Sequence, residues 1–244
     1  MLLLGNCVLR PVPPVDPRPT DSAEAWASVL RDNLDPSGKV AFRRLQSKPE
    51  PLALAVAVIA AAHPGPSRDE RLAFEINSYN TLAMYAVIAH DVPRRLDWLD
   101  RIDIFRLTRF DVAGTPTSLA GYETDILRRE GDPRLHFALS CMAVSCPELP
   151  RAPFDAADID AQLDAAARHF LSDPSRVRFD PATRTVRLAS VLASGEADFL
   201  RVAPTLLAYV NRYRVDPVPE DSRIVFIPAD WTVNDQPGDQ AVPP

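Results

Sequence analysis

The run L-H-F-A-L-S-C-M-A-V-S-C-P, residues Leu135–Pro147, holds the residue types in this sequence that are best able to do chemistry. Nucleophilic cysteine chemistry needs a thiolate, and a nearby imidazole promotes it through an ion pair that lowers the pKa of the thiol. The run supplies both groups, as His136 and Cys146. It therefore indicates a candidate cysteine nucleophile with a histidine base.

The alternation of apolar residues in this run predicts that Leu135–Cys141 is a β-strand. On such a strand His136 lies on one face and Cys141 on the other. Cys146 follows a short connection that could bring it back towards His136, and Pro147 biases it towards an extended conformation at the rim of a turn. Cys146 is therefore the predicted partner of the imidazole, and Cys141 is predicted to point away from it.

A catalytic imidazole also needs a group that orients it, and Glu123, on the helix predicted just before the strand, is the candidate. Attack on an acyl group would further require donors for the oxyanion, for which we expect an Asn side chain and a backbone N–H after Cys146. The predicted oxyanion and supporting residues are Asn77, Tyr79, Asn80 and Ser145.

The elements that must position these residues can be predicted from hydrophobic periodicity. Helical patterns occupy Ala23–Asp32, Pro51–Ala62, Ser67–His90, Leu119–Arg129, Asp158–Leu171 and Ala203–Asn211. Strand-like runs occupy Phe105–Val112, Leu135–Cys141, Arg176–Phe179, Thr185–Leu188 and Ile224–Ile227. Helices dominate the first half and strands the second, which favours an α+β domain with a small, mostly antiparallel sheet in its C-terminal half.

The helix predicted over residues 67–90 is apolar on nearly all sides, so we expect it to be buried at the centre of the domain. Ser67 and Glu70 form a capping-box pattern that fixes its start. Asn77 and Asn80 then lie in an apolar environment, where each amide needs hydrogen-bond partners. They either bond neighbouring loops and fix the packing, or point an amide at a reacting centre.

The composition limits the classes of function. The net charge of -6 and the absence of a basic cluster argue against nucleic-acid binding, and only eight glycines occur, with no phosphate-binding loop. No cysteine, histidine and carboxylate spacing matches a zinc site, so we expect neither a metal nor another cofactor. The expected ligand is a small molecule or a peptide, and the sequence does not determine the oligomeric state.

The chain is expected to form one domain over residues 21–235, after a proline-rich extended lead-in over 1–20 and before a disordered tail over 236–244. Three cysteines cannot form a disulfide framework, and the longest apolar run is too short to cross a bilayer. These features predict a soluble, cytoplasmic protein, unless an export signal precedes this N-terminus. Cys7 resembles a lipidation cysteine, but Asn6 lies where a small residue is needed.

Four segments of the sequence form a recognisable series: F-E-I-N-S-Y-N-T (74–81), S-L-A-G-Y-E-T-D-I-L-R (118–128), D-P-R-L-H-F-A-L-S-C-M-A-V-S-C-P-E-L (132–149) and D-W-T-V-N (230–234). Together they resemble the signature of the domain of unknown function 547 family. The resemblance implies a family domain without a settled biochemical activity. Its polar signature residues fall on Asn77, Tyr79, Asn80, Glu123, His136 and Cys146, and the resemblance does not supply their roles.

The sequence departs from this signature at three positions: Glu75 replaces a tryptophan, Met142 a glycine and Glu148 a proline. Glu75 places a carboxylate where an aromatic ring would cover the helix. Met142 removes a residue that is free to adopt positive φ, so the turn towards Cys146 is expected to differ in shape.

Three hypotheses follow. The first is a cysteine-dependent hydrolase or transferase acting on an amide, peptide or thioester, with Cys146, His136 and Glu123 as nucleophile, base and orienting acid. The second is a non-catalytic protein-interaction module in which His136 is a core histidine and Cys146 a small buried residue. The third is thiol redox chemistry by Cys141 and Cys146, which the predicted strand disfavours because it points the two thiols apart.

Overall fold

The computed structural model describes residues 22–237, and this part of the chain forms ten α-helices, a π-helical turn, a 3₁₀ helix and five short strands. The helices are α1 Ser22–Asn33, α2 Phe42–Ser47, α3 Glu50–Ala61, α4 Arg68–Ala89, α5 Trp98–Ile102, α6 Leu119–Glu130, α7 Ile159–Ser172, α8 Ser190–Ser194, α9 Glu196–Leu200 and α10 Leu206–Asn211. The strands are β1 Phe110–Val112, β2 Thr115–Thr117, β3 Val177–Asp180, β4 Thr185–Ala189 and β5 Arg223–Ile227. The predicted α+β class is confirmed.

The predicted N-terminal lead-in and C-terminal tail lie wholly or partly outside the described residues. Cys7 and the predicted lead-in over 1–20 lie outside the described residues, as do residues 238–244 of the predicted tail. Gln236, where the tail was predicted to start, donates from Nε2 to Asn33 O at 3.1 Å and to Lys39 O at 3.0 Å. The chain is therefore still held to the N-terminal helices at this residue.

Helix α4 is the buried central helix that the apolar pattern predicts. Glu70 N donates to Ser67 Oγ at 3.2 Å and Ser67 N donates to Glu70 Oε2 at 3.0 Å, so the capping box fixes the start of α4. Most of its residues from Leu72 to Ile88 are buried, and it contacts α1, α2, α3, α6 and α7. Neighbouring helices therefore cover the apolar surface of α4 on nearly every side.

The buried apolar residues form two clusters. The larger one surrounds α4 and includes Trp26, Phe42 and Leu135. The smaller one lies in the C-terminal half and includes Phe137, Phe199 and Tyr209, whose rings pack together with centroid distances of 4.6 to 6.5 Å. The chain passes from one cluster to the other within three residues, at 135–137.

The sheet of the C-terminal half has the strand order β3-β4-β5. β3 and β4 form an antiparallel pair with Val177 opposite Leu188, whereas β5 runs parallel to β4 with Thr185 opposite Arg223. The sheet is therefore mixed. A parallel pair requires a crossover, and α8, α9 and α10 provide it.

The predicted strand Leu135–Cys141 is wrong, because Pro133–Phe137 is a 3₁₀ helix followed by a loop. Asp132 caps this helix by accepting from Arg134 N at 2.9 Å, and Pro133 occupies its first turn. The apolar residues alternate because Leu135 faces the larger cluster and Phe137 the smaller one. A short apolar run does not by itself distinguish a strand from a buried helical turn.

The predicted strand Phe105–Val112 is also partly wrong. Residues Asp103–Leu107 form the π-helical turn that continues α5, and only Phe110–Val112 pair as a strand. Within residues 22–237, no helix combines the length and the apolar character that a membrane crossing requires.

Candidate active site

A cavity of about 410 Å³ lies where the 3₁₀ helix, α4, α6 and α8 meet the segment that follows β5. Its polar and sulfur-containing lining residues are Tyr79, Glu123, His136, Cys141, Ser145, Cys146, Ser190, Ser194 and Asp198. The sequence predicted five of these: Tyr79, Glu123, His136, Ser145 and Cys146. Asn77 and Asn80, the other two predicted site residues, are not among the lining residues.

The imidazole of His136 is held by the helices that follow β4. His136 Nε2 lies 2.7 Å from Asp198 Oδ2, and Asp198 Oδ1 pairs with Arg201 at 2.8 Å. The ring of Phe199 packs against the imidazole at a centroid distance of 5.2 Å. A Cβ atom at Gly195 would come within 2.9 Å of His136 Cδ2 and Nε2, so this close approach requires glycine.

The contact with Asp198 determines which nitrogen of His136 can act as a base. An ionised carboxylate only accepts hydrogen bonds, so Nε2 carries a proton and the lone pair of the neutral ring lies on Nδ1. Among the residues that the structure describes, Nδ1 has no hydrogen-bond partner. Asp198, and not the predicted Glu123, makes this contact with the His136 ring.

Glu123 instead pairs with Tyr79 of α4, whose hydroxyl donates to Glu123 Oε2 at 3.0 Å. Burial raises the pKa of the Glu123 carboxyl above its usual value, against the opposing effects of the Tyr79 hydrogen bond and the nearby charge of His136. Burial and the Glu123 carboxylate together hold the pKa of Tyr79 well above its usual value. The net shift of the Glu123 pKa is thus in the direction that favours the protonated form.

Cys141 and Cys146 are joined by a disulfide, with their Cα atoms 5.6 Å apart. The prediction that Cys141 points away from Cys146 is therefore wrong. It rested on a strand that does not form, and the loop that takes its place folds the two residues together. Cys146 is buried and Cys141 is only partly buried, and both line the cavity.

The loop of residues 142–146 is held in place by residues 230–234, the D-W-T-V-N segment. Val144 N donates to Thr232 O at 2.8 Å, and further backbone hydrogen bonds join the two segments on either side of this pair. Trp231, in the middle of the second segment, lines the cavity. The pairing explains how a segment near the C-terminus takes part in a site formed by residues far earlier in the chain.

Arg176, directly before β3, supports the same loop from the other side. Its guanidinium donates to Val144 O at 2.6 Å and to Cys146 O at 3.3 Å, and it lies over the ring of Phe170 at 5.2 Å. The backbone around Cys146 is thus fixed by both the C-terminal segment and the sheet.

The amides of Asn77 and Asn80 each bind two backbone groups. Asn77 donates to Phe154 O at 2.8 Å and accepts from Phe154 N at 2.9 Å. Asn80 donates to Ala138 O at 2.9 Å and accepts from Ser140 N at 2.8 Å. Of the two interpretations that the sequence left open, these contacts favour the structural one, and Asn80 positions the chain that leads into the cysteine loop.

Of the three residues that depart from the family signature, two have a charged partner and one has a positive φ angle. Glu75 forms an ion pair with Arg129, and burial raises the pKa of its carboxyl. Met142 adopts φ +61°, in the left-handed region that favours glycine. Glu148 Oε2 lies 3.0 Å from His169 Nε2.

Sequence analysis missed Asp198, Gly195 and Arg176. No helix was predicted over residues 190–200, so nothing indicated that this stretch reaches His136. The one available signal was the segment S-G-E-A-D, which places a glycine and an acid three residues apart in a chain with only eight glycines.

Within residues 22–237, no group of three or more His, Cys, Asp or Glu side chains is arranged to hold a metal ion. The side chains that line the cavity supply a disulfide, a histidine–aspartate pair, the half-buried carboxyl group of Glu123 and three serine hydroxyls.

Comparison with known proteins gives one match. The family model described as "Protein of unknown function, DUF547" matches residues 65–171, somewhat less than half of the chain, and confirms the resemblance seen in the sequence. The match contains the first three signature segments, whereas the D-W-T-V-N segment lies beyond it. No curated protein and no solved structure matches the chain.

Proposed function

We propose that this chain, whose residues 65–171 match the DUF547 model, is a cysteine-dependent hydrolase or transferase acting on an acyl group of an amide, a peptide or a thioester. The observation that carries the proposal is that Cys146 and the oriented His136–Asp198 pair line the same cavity of about 410 Å³. A nucleophile, its base and the group that orients the base are the parts that such chemistry needs.

The active form is the reduced one. A dithiol reductant opens the bridge and becomes a disulfide itself, while Cys141 and Cys146 each gain one electron and one proton. His136 Nδ1 then takes the proton of Cys146, and the thiolate attacks the carbonyl carbon of the substrate, whose π electrons move to oxygen. Collapse of this intermediate expels the leaving group, which takes the proton from His136, and leaves an acyl thioester on Cys146.

In the second half of the reaction a water molecule, or another acceptor, attacks the thioester. His136 Nδ1 takes the proton of the attacking group and returns it to the sulfur, so the free thiol is restored. Asp198 keeps Nε2 protonated throughout and so keeps the basic nitrogen at Nδ1.

Ser145 is the group that we assign to the oxyanion. Its Oγ accepts from Asp230 N at 2.5 Å, which leaves its hydroxyl proton for a ligand, and it lines the cavity. The backbone N–H expected after Cys146 does not exist at Pro147, and Cys146 N donates to Ala143 O at 2.9 Å.

The test uses Cys141→Ser, which frees Cys146 without a reductant. We expect this variant to form an acyl adduct at Cys146 with a simple thioester, detected by mass spectrometry, whereas wild type needs prior reduction. Cys146→Ser and His136→Ala should form none. If Cys146 in the reduced wild type reacts with iodoacetamide no faster than Cys141 from about pH 5 to 9, the nucleophile assignment fails.

A second candidate, thiol–disulfide exchange, is favoured by the Cys141–Cys146 bridge itself. A substrate thiolate would attack Cys141, the more exposed sulfur, and release Cys146 as a thiolate; a second substrate thiol then resolves the mixed disulfide. This function needs both cysteines, whereas acyl transfer needs only Cys146. Loss of all activity in Cys141→Ser, with dithiol oxidation by the wild type, would select the redox function.

A further inference from the structure

One part of the cavity wall is apolar and takes no part in the proposed chemistry. Its residues come from four separate stretches of the chain: the π-helical turn, the loop after the 3₁₀ helix, α8 and the segment after β5. They are Phe105, Leu139, Val191, Ala229 and Trp231. Aromatic and aliphatic walls with few polar groups are typical of sites that bind the apolar part of a small molecule.

The aromatic wall is held rigidly. Arg101 of α5 lies over the ring of Trp231 at 4.5 Å, and the backbone of Trp231 is fixed because Leu96 N donates to its carbonyl at 2.8 Å. A preformed apolar wall lowers the cost of binding, because little side-chain freedom is lost when the ligand enters.

The charges around the cavity disfavour an anionic ligand. Among the described residues, the lining set contains the carboxyl groups of Glu123 and Asp198 but no lysine or arginine. Asp198 is already paired with Arg201 and His136, and burial favours the uncharged form of Glu123 by raising its pKa. A carboxylate or phosphate group placed here would meet carboxyl oxygens and no free cation.

We infer that the acyl group that Cys146 receives is uncharged and apolar, and that it lies along Phe105, Leu139 and Trp231. This inference rests on the proposed acyl transfer for the reaction, and on the cavity wall alone for binding. The volume of about 410 Å³ falls in the range of small-molecule sites, about 300–1,000 Å³.

The first arm of the test measures binding without chemistry. Octanamide, a neutral apolar amide, and succinamate, its anionic counterpart in this test, are titrated against Cys146→Ser by calorimetry. We expect octanamide to bind at least about tenfold more tightly, because it buries methylene groups against the wall. Equal binding of the two compounds, or no binding of octanamide, would overturn the inference.

The second arm measures acylation of Cys141→Ser by N-acetylcysteamine thioesters. Octanoyl should react with a kcat/KM at least about tenfold above acetyl and succinyl. Trp231→Ala should lower the octanoyl rate much more than the acetyl rate and so remove most of this preference. Trp98→Ala, at a tryptophan that is 61% exposed, is the matched control and should keep the preference. Phe105→Ala repeats the test if Trp231→Ala does not fold.

Together, the two arms of the test distinguish failure of the acyl-transfer function from failure of the inferred substrate class. Tight octanamide binding without acylation by any thioester supports the ligand class and contradicts the acyl-transfer function. Acylation that is equally fast with succinyl and octanoyl supports the function and overturns the inferred substrate class.

Discussion

At the residue scale, the proposed acyl transfer depends on the position of one imidazole ring. Asp198 holds Nε2 of His136, Gly195 gives the ring room, and Phe199 packs against it. Each contact comes from α9 or the residue before it, so a short stretch after β4 determines the orientation of the His136 ring.

Asp198→Asn tests the orienting contact. An amide can donate to Nε2 and so place the ring proton on Nδ1, which removes the basic nitrogen from the cavity. We expect kcat/KM for thioester acylation to fall by about 10²–10⁴-fold, the range typical of lost general acid–base assistance. Asp221→Asn, at an exposed aspartate paired with Arg184, should keep full activity. An unchanged rate in Asp198→Asn would show that His136 does not act as the base.

Gly195→Ala tests the close approach between Gly195 and the His136 ring. The added methyl group would lie 2.9 Å from His136 Cδ2 and Nε2, so the ring must move. We expect loss of selective Cys146 alkylation, with a loss of stability of about 1–3 kcal/mol from overpacking. Gly121→Ala, where the methyl group would meet the Ser118 hydroxyl at 3.2 Å, is the control. Thermal unfolding and alkylation rates are measured on both variants, and normal alkylation in Gly195→Ala would contradict the assignment.

At the scale of elements, α4 fixes the route of the chain into the cysteine loop. The Asn80 side chain binds Ala138 O and Ser140 N, and Asn77 does the same for both backbone groups of Phe154. The two side-chain amides thus supply hydrogen bonds that a neighbouring strand would supply to these backbone groups in a sheet. This explains why polar residues are tolerated in a helix that is otherwise apolar.

Asn80→Ala should therefore destabilise the whole protein. It leaves one buried carbonyl and one buried N–H without partners, at a cost of about 1–3 kcal/mol for each group. Thr81→Val is the control on the same helix, because the Thr81 hydroxyl donates to Asn77 O, a carbonyl within α4. Urea unfolding should show a loss of about 2 kcal/mol or more for Asn80→Ala and clearly less for Thr81→Val. Equal effects would mean that the amide contacts contribute little.

At the scale of the whole molecule, the cavity lies between two hydrophobic clusters. Leu135 belongs to one and Phe137 to the other, so His136 lies where the two cores meet. Residues 230–234 and Arg176 close the site from opposite sides by binding the cysteine loop. Glu123, a half-buried ionisable group that lines this cavity, couples the free energy of unfolding to pH through its raised pKa.

The pH dependence of stability tests this coupling. Because the pKa of Glu123 is raised in the folded state, its contribution is fully present below its ordinary value of 4.5 and is lost as pH rises through the raised pKa. Glu123→Gln removes this loss and can still accept from Tyr79. We expect the variant to equal wild type at about pH 4 and to be more stable at about pH 8, by urea unfolding at each pH. A variant that is less stable at high pH would show that the ionised carboxylate is favoured in the fold.

The sequence alone determined the features that depend on local patterns. It predicted the α+β class, the bounds of α4 to within about a residue or two, and the family resemblance, and it selected five residues that meet at the cavity. Each of these follows from periodicity, capping or signature residues, which act over a few turns of chain.

The tertiary structure decided everything that depends on which distant segments meet. It turned the predicted strand at Leu135–Cys141 into a 3₁₀ helix between two cores, joined Cys141 to Cys146, and placed Asp198 where Glu123 was expected. Alternating apolar residues indicate which side chains are buried, but they do not indicate which distant elements pack against those side chains. Asp198, which contacts His136, lies 62 residues further along the chain. Local sequence patterns do not predict a contact between residues so far apart.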